Sequence, residues 1–301
     1  MKQFSANVIA VVVTHNRPEE LRLVVQALQR QTLSLTRILV LDNASAIPAN
    51  DILADLPSVE VIRSAVNCGG AGGFALGIDT ALNHTPEWLW LMDDDAVPEL
   101  DALEKLLDEL PALAKKSTQL GSLCCAVYEF DTLAPMHRRK FFMSFAWERV
   151  VSLNQYSAGP VQIDTGSFVG CLLNAQAVKN IGLPNADFFL AYDDTEYFLR
   201  LGNAGYSSWL IPSSKIDHLR SATARLRSNH FGCKHFYNIR NRLVVCRQYA
   251  RWKTPAACIG LVSGFMIWLS CGGAKHPKTI FLLFRAFHDG LTGKLSYVWK
   301  N

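Results

Sequence analysis

Four short strand-like runs, each closed by a polar or glycine-rich cluster, constrain this chain more than any other feature. Val8–Val13 runs into Thr14-His15-Asn16-Arg17-Pro18, Arg37–Leu41 into Asp42-Asn43-Ala44-Ser45, and Trp88–Met92 into Asp93-Asp94-Asp95. Val59–Arg63 leads to Asn67-Cys68-Gly69-Gly70-Ala71-Gly72-Gly73. An apolar run such as Val8–Val13, without alternation, reads as a strand buried on both faces of a parallel sheet. Helical patterns fill the intervals. Pro18 suits a first helical position, Glu19 and Glu20 suit a first turn, and Leu21, Val24, Val25 and Leu28 recur at helical spacing. A second helix is expected from about Phe74 to Asn83. Such alternation implies an α/β doubly wound, mostly parallel sheet, which binds ligands beyond the carboxyl ends of its strands. Three of the four clusters, at 14–17, 42–45 and 93–95, are expected at those ends.

Farther along, residues 121–180 show short apolar segments and few helix signals. Phe188–Leu201, containing Asp193 and Asp194, reads as a loop feeding a helix that Gly202 and Gly205 end. Trp209-Leu210-Ile211 reads as a short strand. The expected organisation is an α/β domain over 1–225 and a helical C-terminal region over 226–301. That region is basic and apolar: Arg220 and Arg225 just before it and Arg227, Lys234, Arg240, Arg242, Arg247, Arg251 and Lys253 at its start crowd one stretch. Thr254–Ala274 then carries no charge between Lys253 and Lys275. The run is long enough to span a bilayer, but Pro255, Ser263, Ser270 and its glycines favour a buried or interfacial helix, ahead of monotopic insertion and of a true span.

The net charge of +4 over 301 residues is mild and does not suggest a dedicated nucleic-acid binder, since no dense basic stripe dominates. The local basic excess suits a phosphate-bearing substrate or an anionic membrane surface. The eight cysteines form no CxxC pair and no zinc spacing, which fits reduced thiols in a cytoplasmic protein. Met1–Val13 is too short and too weakly basic for a secretory signal.

Three consecutive carboxylates after an apolar strand repel one another unless a cation neutralises them, and their oxygens suit Mg²⁺ or Mn²⁺. Alternate residues of an extended segment face the same way, so Asp93 and Asp95 could flank one ion. A solvated acidic loop capping the next helix is the plain alternative. Asp42 could read a nucleotide base edge or close an Asx-turn; Thr14 could meet a nucleotide or cap a helix; Arg17 suits a phosphate. The glycine run allows close backbone approach to an anion or sugar, or is a flexible turn.

Val11-Val12-Val13-Thr14-His15-Asn16-Arg17-Pro18, Leu39-Val40-Leu41-Asp42-Asn43-Ala44-Ser45, Trp90-Leu91-Met92-Asp93-Asp94-Asp95 and Tyr192-Asp193-Asp194-Thr195-Glu196-Tyr197 occur in that order. This set, over about residues 7–220, resembles the inverting family 2 glycosyltransferases of the GT-A (Rossmann-like) fold. Asn67-Cys68-Gly69-Gly70-Ala71-Gly72-Gly73-Phe74 is similar to a loop of bacterial galactofuranosyltransferases; rhamnosyltransferases of the same family usually carry a shorter glycine signal. The resemblance implies a metal-dependent hexosyltransferase of cell-surface polysaccharide synthesis, such as O-antigen or lipopolysaccharide, with UDP-galactofuranose favoured as donor over dTDP-rhamnose. Its acceptor would be a glycan or lipid-linked saccharide, met at the inner face of the membrane.

By the same resemblance, Thr14, Arg17 and Asp42 surround the nucleotide, and Asn67, Gly69, Gly70, Gly72, Gly73 and Asp94 touch the donor. His218 joins Asp93 and Asp95 on a Mn²⁺ or Mg²⁺ ion. Asp194 is the base that takes the acceptor's proton, and Asp193 orients the acceptor. Trp209, Tyr237 and Arg240 are candidate acceptor contacts, although Trp209 also suits the core and Arg240 a solvated helix face. Two rivals are weaker. A non-catalytic sugar-nucleotide or glycan-binding module would not need both acid pairs and His218. A nucleotidyltransferase would carry a glycine-rich basic loop directly after the first strand.

Overall fold

The structure, a computed structural model, describes residues 6–56, 58–117, 119–219, 230–273 and 276–295. The four expected strands are present as β1 (Val8–Thr14), β2 (Arg37–Asp42), β3 (Val59–Arg63) and β4 (Trp88–Asp93). β1 pairs in parallel with both β2 and β4, and every one of its residues is buried. That explains its unbroken apolar run. Helix α1 (Pro18–Gln29) buries Leu21, Val24, Val25 and Leu28, the stripe that marked it in the sequence. α2 (Ala49–Ile52) is a single turn.

Helix α3 (Gly69–Leu82) starts five residues before its expected first residue, so the glycine run is its first turn and not a turn preceding it. Glycines weaken a helix on their own. Here they let it lie against the sheet: a Cβ at Gly73 would meet Val13 Cγ1 at 2.6 Å, and one at Gly77 would meet Val11 Cγ1 at 2.7 Å.

Beyond β4 the chain forms β5 (Ala96–Pro98), α4 (Ala102–Asp108) and α5 (Leu110–Lys116). The mixed segment then supplies β6 (Leu120–Glu129), β7 (Thr132–Leu133), β8 (Arg138–Phe142), β9 (Trp147–Val150), β10 (Val161–Ile163), β11 (Thr165–Gly166) and β12 (Cys171–Asn174). After α6 (Ala175–Ile181) and α7 (Asp193–Asn203) comes β13 (Ser207–His218), much longer than the strand expected at Trp209–Ile211. Among the described residues one mixed sheet runs β10-β13-β6-β12-β4-β1-β2-β3, with β5 on β13 and β7 on β6; β11-β8-β9 form a second, small sheet. Separate cores lie on the two faces of the large sheet, one around Val8, Val12 and Trp90, the other around Val11, Phe74 and Tyr197. Helices flank both faces, as the alternation predicted.

The C-terminal region is helical, also as expected: α8 (Cys233–Tyr249), α9 (Lys253–Ser270) and α10 (Ile280–Thr292). α9 buries Ala256, Gly260, Gly264 and Trp268, a stripe of every fourth residue; Leu243 of α8 seats at Gly260, and Ile239 of α8 and Phe287 of α10 seat at Gly264. Only 22 % of this apolar helix is buried. It is therefore not a core helix: Ile259, Val262, Phe265, Met266 and Leu269 stay exposed. Arg220, Arg225, Arg227, Ala274, Lys275 and the 225/226 boundary lie outside the described residues.

The close seat of α3 on β1 gives a stability prediction. Gly73→Ala gains some helix propensity but drives a methyl into a stiff, buried valine. Denaturant unfolding should show a net loss of about 1–2 kcal/mol; a more stable variant would contradict this packing.

Candidate active site

The carboxyl ends of β1 and β4, the end of β13 and the start of α7 line one cavity of about 590 Å³. Small-molecule sites span roughly 300–1,000 Å³. Asp93, Asp94 and Asp95 all line it. Their neighbours follow from strand pairing. β1 beside β4 sets Val13 opposite Asp93, so the loop after β1 meets the acids. Thr14 Oγ1 donates to Asp94 Oδ2 at 2.8 Å, and the His15 N–H donates to the same oxygen at 3.1 Å. Arg17 donates to Asp94 Oδ1 at 3.4 Å and also pairs with Asp95.

β13 brings the histidine. It runs antiparallel to β5, with His218 opposite Ala96, and parallel to β6, with Asp217 opposite Tyr128. His218 is thereby held between Asp95 and Glu129. Its Nε2 lies 3.1 Å from Asp95 Oδ1, and its Nδ1 lies 3.1 Å from Glu129 Oε1. One ligand atom each from Asp93, Asp95 and His218 falls within 4.8 Å of the others. Asp95 Oδ1 is fully buried and receives no hydrogen bond, although the His218 nitrogen is beside it. A buried carboxylate oxygen beside an imidazole nitrogen, without an in-line proton, suits two ligands of one hard or borderline cation. Glu129 stands behind His218 as the outer carboxylate that commonly fixes a ligating imidazole. Glu129, His137 and His218 form a second such group, but Glu129 does not line the cavity. His137 bridges Glu129 Oε1 at 3.1 Å and Ser167 Oγ at 2.7 Å.

Asp193 and Asp194 open α7, after a backbone turn in which Phe189, Ala191 and Tyr192 all have positive φ. Non-glycine residues rarely adopt that region, so the turn needs outside support. α8 supplies it. Asn241 Nδ2 donates to the carbonyls of Phe188, Leu190 and Ala191 at 3.0, 2.9 and 2.8 Å, and Arg240 donates to those of Asp187, Phe188 and Leu295. Arg240 is thus fully buried and faces the core, not an acceptor. Tyr237 is also buried and stacks on Phe189. Trp209 lies in the sheet core, with its Nε1 donating to Ser207 Oγ. None of the three candidate acceptor residues lines the cavity.

The donor candidates divide as well. Thr14, Arg17, Asn67, Gly69, Gly70 and Asp94 line the cavity; Asp42, Gly72 and Gly73 do not. Asp42 is fully buried and accepts from the Ser45 and Ala49 N–H groups and from Arg63. Its geometry is that of the Asx-type turn. A Cβ on Gly69 would lie 2.0 Å from the Phe189 carbonyl oxygen, so this glycine lets α3 dock against the turn that carries the acid pair.

Several site residues were not singled out from the sequence. Asn43 ties the β2 loop to the glycine segment by bonds to Asn67 and Gly69, and His15 Nδ1 contacts the Asn43 carbonyl oxygen at 2.9 Å. His137, Ser167 and Lys234 line the cavity, and Lys234 is its cation on the α8 side. His15 and Asn43 sit inside clusters that sequence pattern had marked, and Lys234 inside the basic stretch; Glu129 and His137 carry no local signal.

Burial dominates the titration. It pushes the Asp93 carboxyl up to about 7, with the Asp95 charge adding to it, and Asp94 up to about 6 against Arg17 and Thr14. Asp95 is also penalised by burial, yet His218 and then Arg17 hold it below the usual carboxylate range. His218 lies above the ordinary imidazole value because Asp95 outweighs its burial. Burial takes His137 down to about 4, so it is neutral. Burial and the Asp194 charge raise Asp193 well above the normal range; burial raises Asp194 too, against the Arg139 guanidinium. Asp193 therefore keeps its proton longer.

Comparison with known proteins agrees with this geometry. The family model for glycosyl transferase family 2 matches residues 9–181. The galactofuranosyltransferase GlfT1 of Mycobacterium tuberculosis is 31% identical over 258 residues, 80% of this chain and 83% of that protein. The dTDP-rhamnosyl transferase RfbF of Shigella flexneri is 22% identical, covering 81% of each. Among solved structures, GalNAc-T7 with UDP, GalNAc and Mn²⁺ superposes with a TM-score of 0.63 at 14% identity, over 81% of this chain and 48% of that one. TarS 1-349 of S. aureus in complex with UDP gives 0.54 at 11% identity, over 83% of this chain and 68% of that one. These likenesses place the sheet and its helices in the GT-A fold.

The raised groups set a pH dependence in metal-free protein. Folded Asp93 and Asp94 hold protons up to about 7 and about 6, against 3.8 ordinarily, and His218 stays protonated above 6.5. The folded state then binds more protons than the unfolded one, so stability falls as pH rises. Thermal melts in EDTA from about pH 5 to about pH 8 should show a falling Tm, and Asp93→Asn should flatten the slope. A rising Tm would refute the assignment.

Proposed function

Because the chain belongs to glycosyl transferase family 2, we propose that it moves galactofuranose from UDP-galactofuranose onto a glycan acceptor with inversion. The observation that carries this reading is a single cavity bearing Asp93, Asp95 and His218 at the strand ends and Asp194 at the head of α7. A donor diphosphate fits against the first group, with Lys234 and the first turn of α3 in the same wall. The 31% identity to a galactofuranosyltransferase and the Asn67–Phe74 segment favour galactofuranose as the sugar.

Asp93, Asp95 and His218 would hold a divalent ion, oriented by Glu129 through His218. Mn²⁺ or Mg²⁺ bound there supplies positive charge against the departing diphosphate. Asp194 accepts the proton of an acceptor hydroxyl as its oxygen bonds to C1 of the sugar. The C1–O bond to UDP breaks, its electron pair leaves with UDP, and the configuration inverts. Asp193, holding its proton, offers a hydrogen-bond donor beside that base.

A donor screen reading nucleotide release tests the assignment. UDP-galactofuranose should be turned over, dTDP-rhamnose should not, and EDTA should suppress release until Mn²⁺ is added back. Release from dTDP-rhamnose alone would transfer the assignment to that sugar. Asp194→Asn should lower kcat by roughly 10²–10⁴-fold, the range of a lost general base, while UDP still binds. Full turnover in that variant would remove Asp194 from the role of base.

The uncovered face of α9 supports work at a membrane, at its cytoplasmic side. Val262, Phe265 and Met266 are exposed there, Arg251 and Trp252 precede the helix and Lys253 begins it. The protein should float with anionic phospholipid vesicles, and Val262→Glu with Met266→Glu should abolish flotation. Vesicle binding that ignores both charges would locate the contact elsewhere.

A further inference from the structure

A second cavity, of about 830 Å³, lies on the other side of the acid pair. The two cavities share only Ala191 and Asp194 in their walls. Asp193 faces the first alone, whereas Asp194 borders both. Inverting transfer sets a geometric demand here. The attacking hydroxyl approaches C1 from the side opposite the leaving diphosphate, and the base must reach that hydroxyl. A base in a wall between two cavities meets this demand when the donor fills one and the acceptor the other.

The lining of the second cavity is suited to a sugar. Trp147, in β9, is 53% exposed at its edge, a large aromatic face kept in solvent. Such a face offers apolar area to the C–H side of a pyranose or furanose ring while hydroxyls turn to polar groups. Those groups are present. Arg139 Nη1 donates to Glu148 Oε2 at 2.7 Å, and Thr165 Oγ1 donates to Glu148 Oε1 at 3.1 Å, which fixes both side chains. Arg139 Nε is buried with no hydrogen-bond partner among the described residues. An unpaired buried donor in a cavity wall is what a ligand hydroxyl satisfies. Asn238 of α8 lines the same cavity.

We propose that this second cavity is the acceptor site: a saccharide stacks on Trp147, bonds to Arg139 and Asn238, and presents its reacting hydroxyl to Asp194. The proposal rests on the glycosyltransferase reading above, but on none of the acceptor residues expected from the sequence. The β8–β9 hairpin, and not the face of α8 bearing Tyr237 and Arg240, then selects the acceptor.

Calorimetry with octyl β-galactofuranoside, in the presence of UDP and Mn²⁺, tests it on the full chain. Trp147 is exposed, so Trp147→Ala should fold normally. The variant should bind the glycoside about tenfold or more weakly, with UDP affinity unchanged, and Trp147→Phe should recover most of the loss. Equal glycoside affinity in native protein and Trp147→Ala, or no binding to native protein, would overturn the proposal. Trp147-dependent glycoside binding without any turnover of UDP-galactofuranose would sink the donor assignment alone.

Discussion

The site depends on where β13 ends. Its antiparallel pairing with β5 and parallel pairing with β6 deliver His218 to a point between Asp95 and Glu129, more than 80 residues away in sequence on either count. The Leu219 N–H, donating to the Asp95 carbonyl at 2.7 Å, closes that junction. A one-residue slip of this strand would turn His218 to the opposite face of the sheet. The three-carboxylate run would then keep its burial and lose its main counter-charge, leaving Arg17 alone to offset it.

Backbone support for the acid pair comes from another part of the chain. Three non-glycine residues of positive φ precede Asp193, and the carbonyls of Phe188, Leu190 and Ala191 in the same turn are taken up by Asn241 and Arg240. Burial lowers the Arg240 guanidinium to about 10, a cost met by the carbonyls it caps. α8 is therefore a buttress of the site more than an appended helix. Gly69 has the matching part on the other side, admitting the Phe189 carbonyl where any side chain would collide.

How far these features were legible depends on their range. The β1, β2 and β4 ends, the acid triplet and the acid pair were visible because apolar periodicity and polar punctuation are local. The start of α3 was misplaced because glycine lowers helix propensity, while tight contact with Val11 and Val13 outweighs it in the folded molecule. Asp42 shows the same limit: base reading and an Asx-turn place the same acid at a strand end, and only the Ser45, Ala49 and Arg63 contacts tell how it is used here. Tyr237 and Arg240 were expected at an acceptor, or Arg240 on a solvated helix face, because a basic helix carries no local sign that its start is buried against the acid-pair turn.

By itself, the sequence determined a layered α/β sheet, the strand ends where its polar chemistry gathers, and the two acidic groups that face each other. The order and antiparallel insertion of β12, the length of β13, the role of Glu129 behind His218 and the second cavity beside Asp194 were decided only by tertiary structure. The physical reason is that strand propensity states that a segment will pair, whereas the choice of neighbour and register comes from non-local hydrogen bonds and packing.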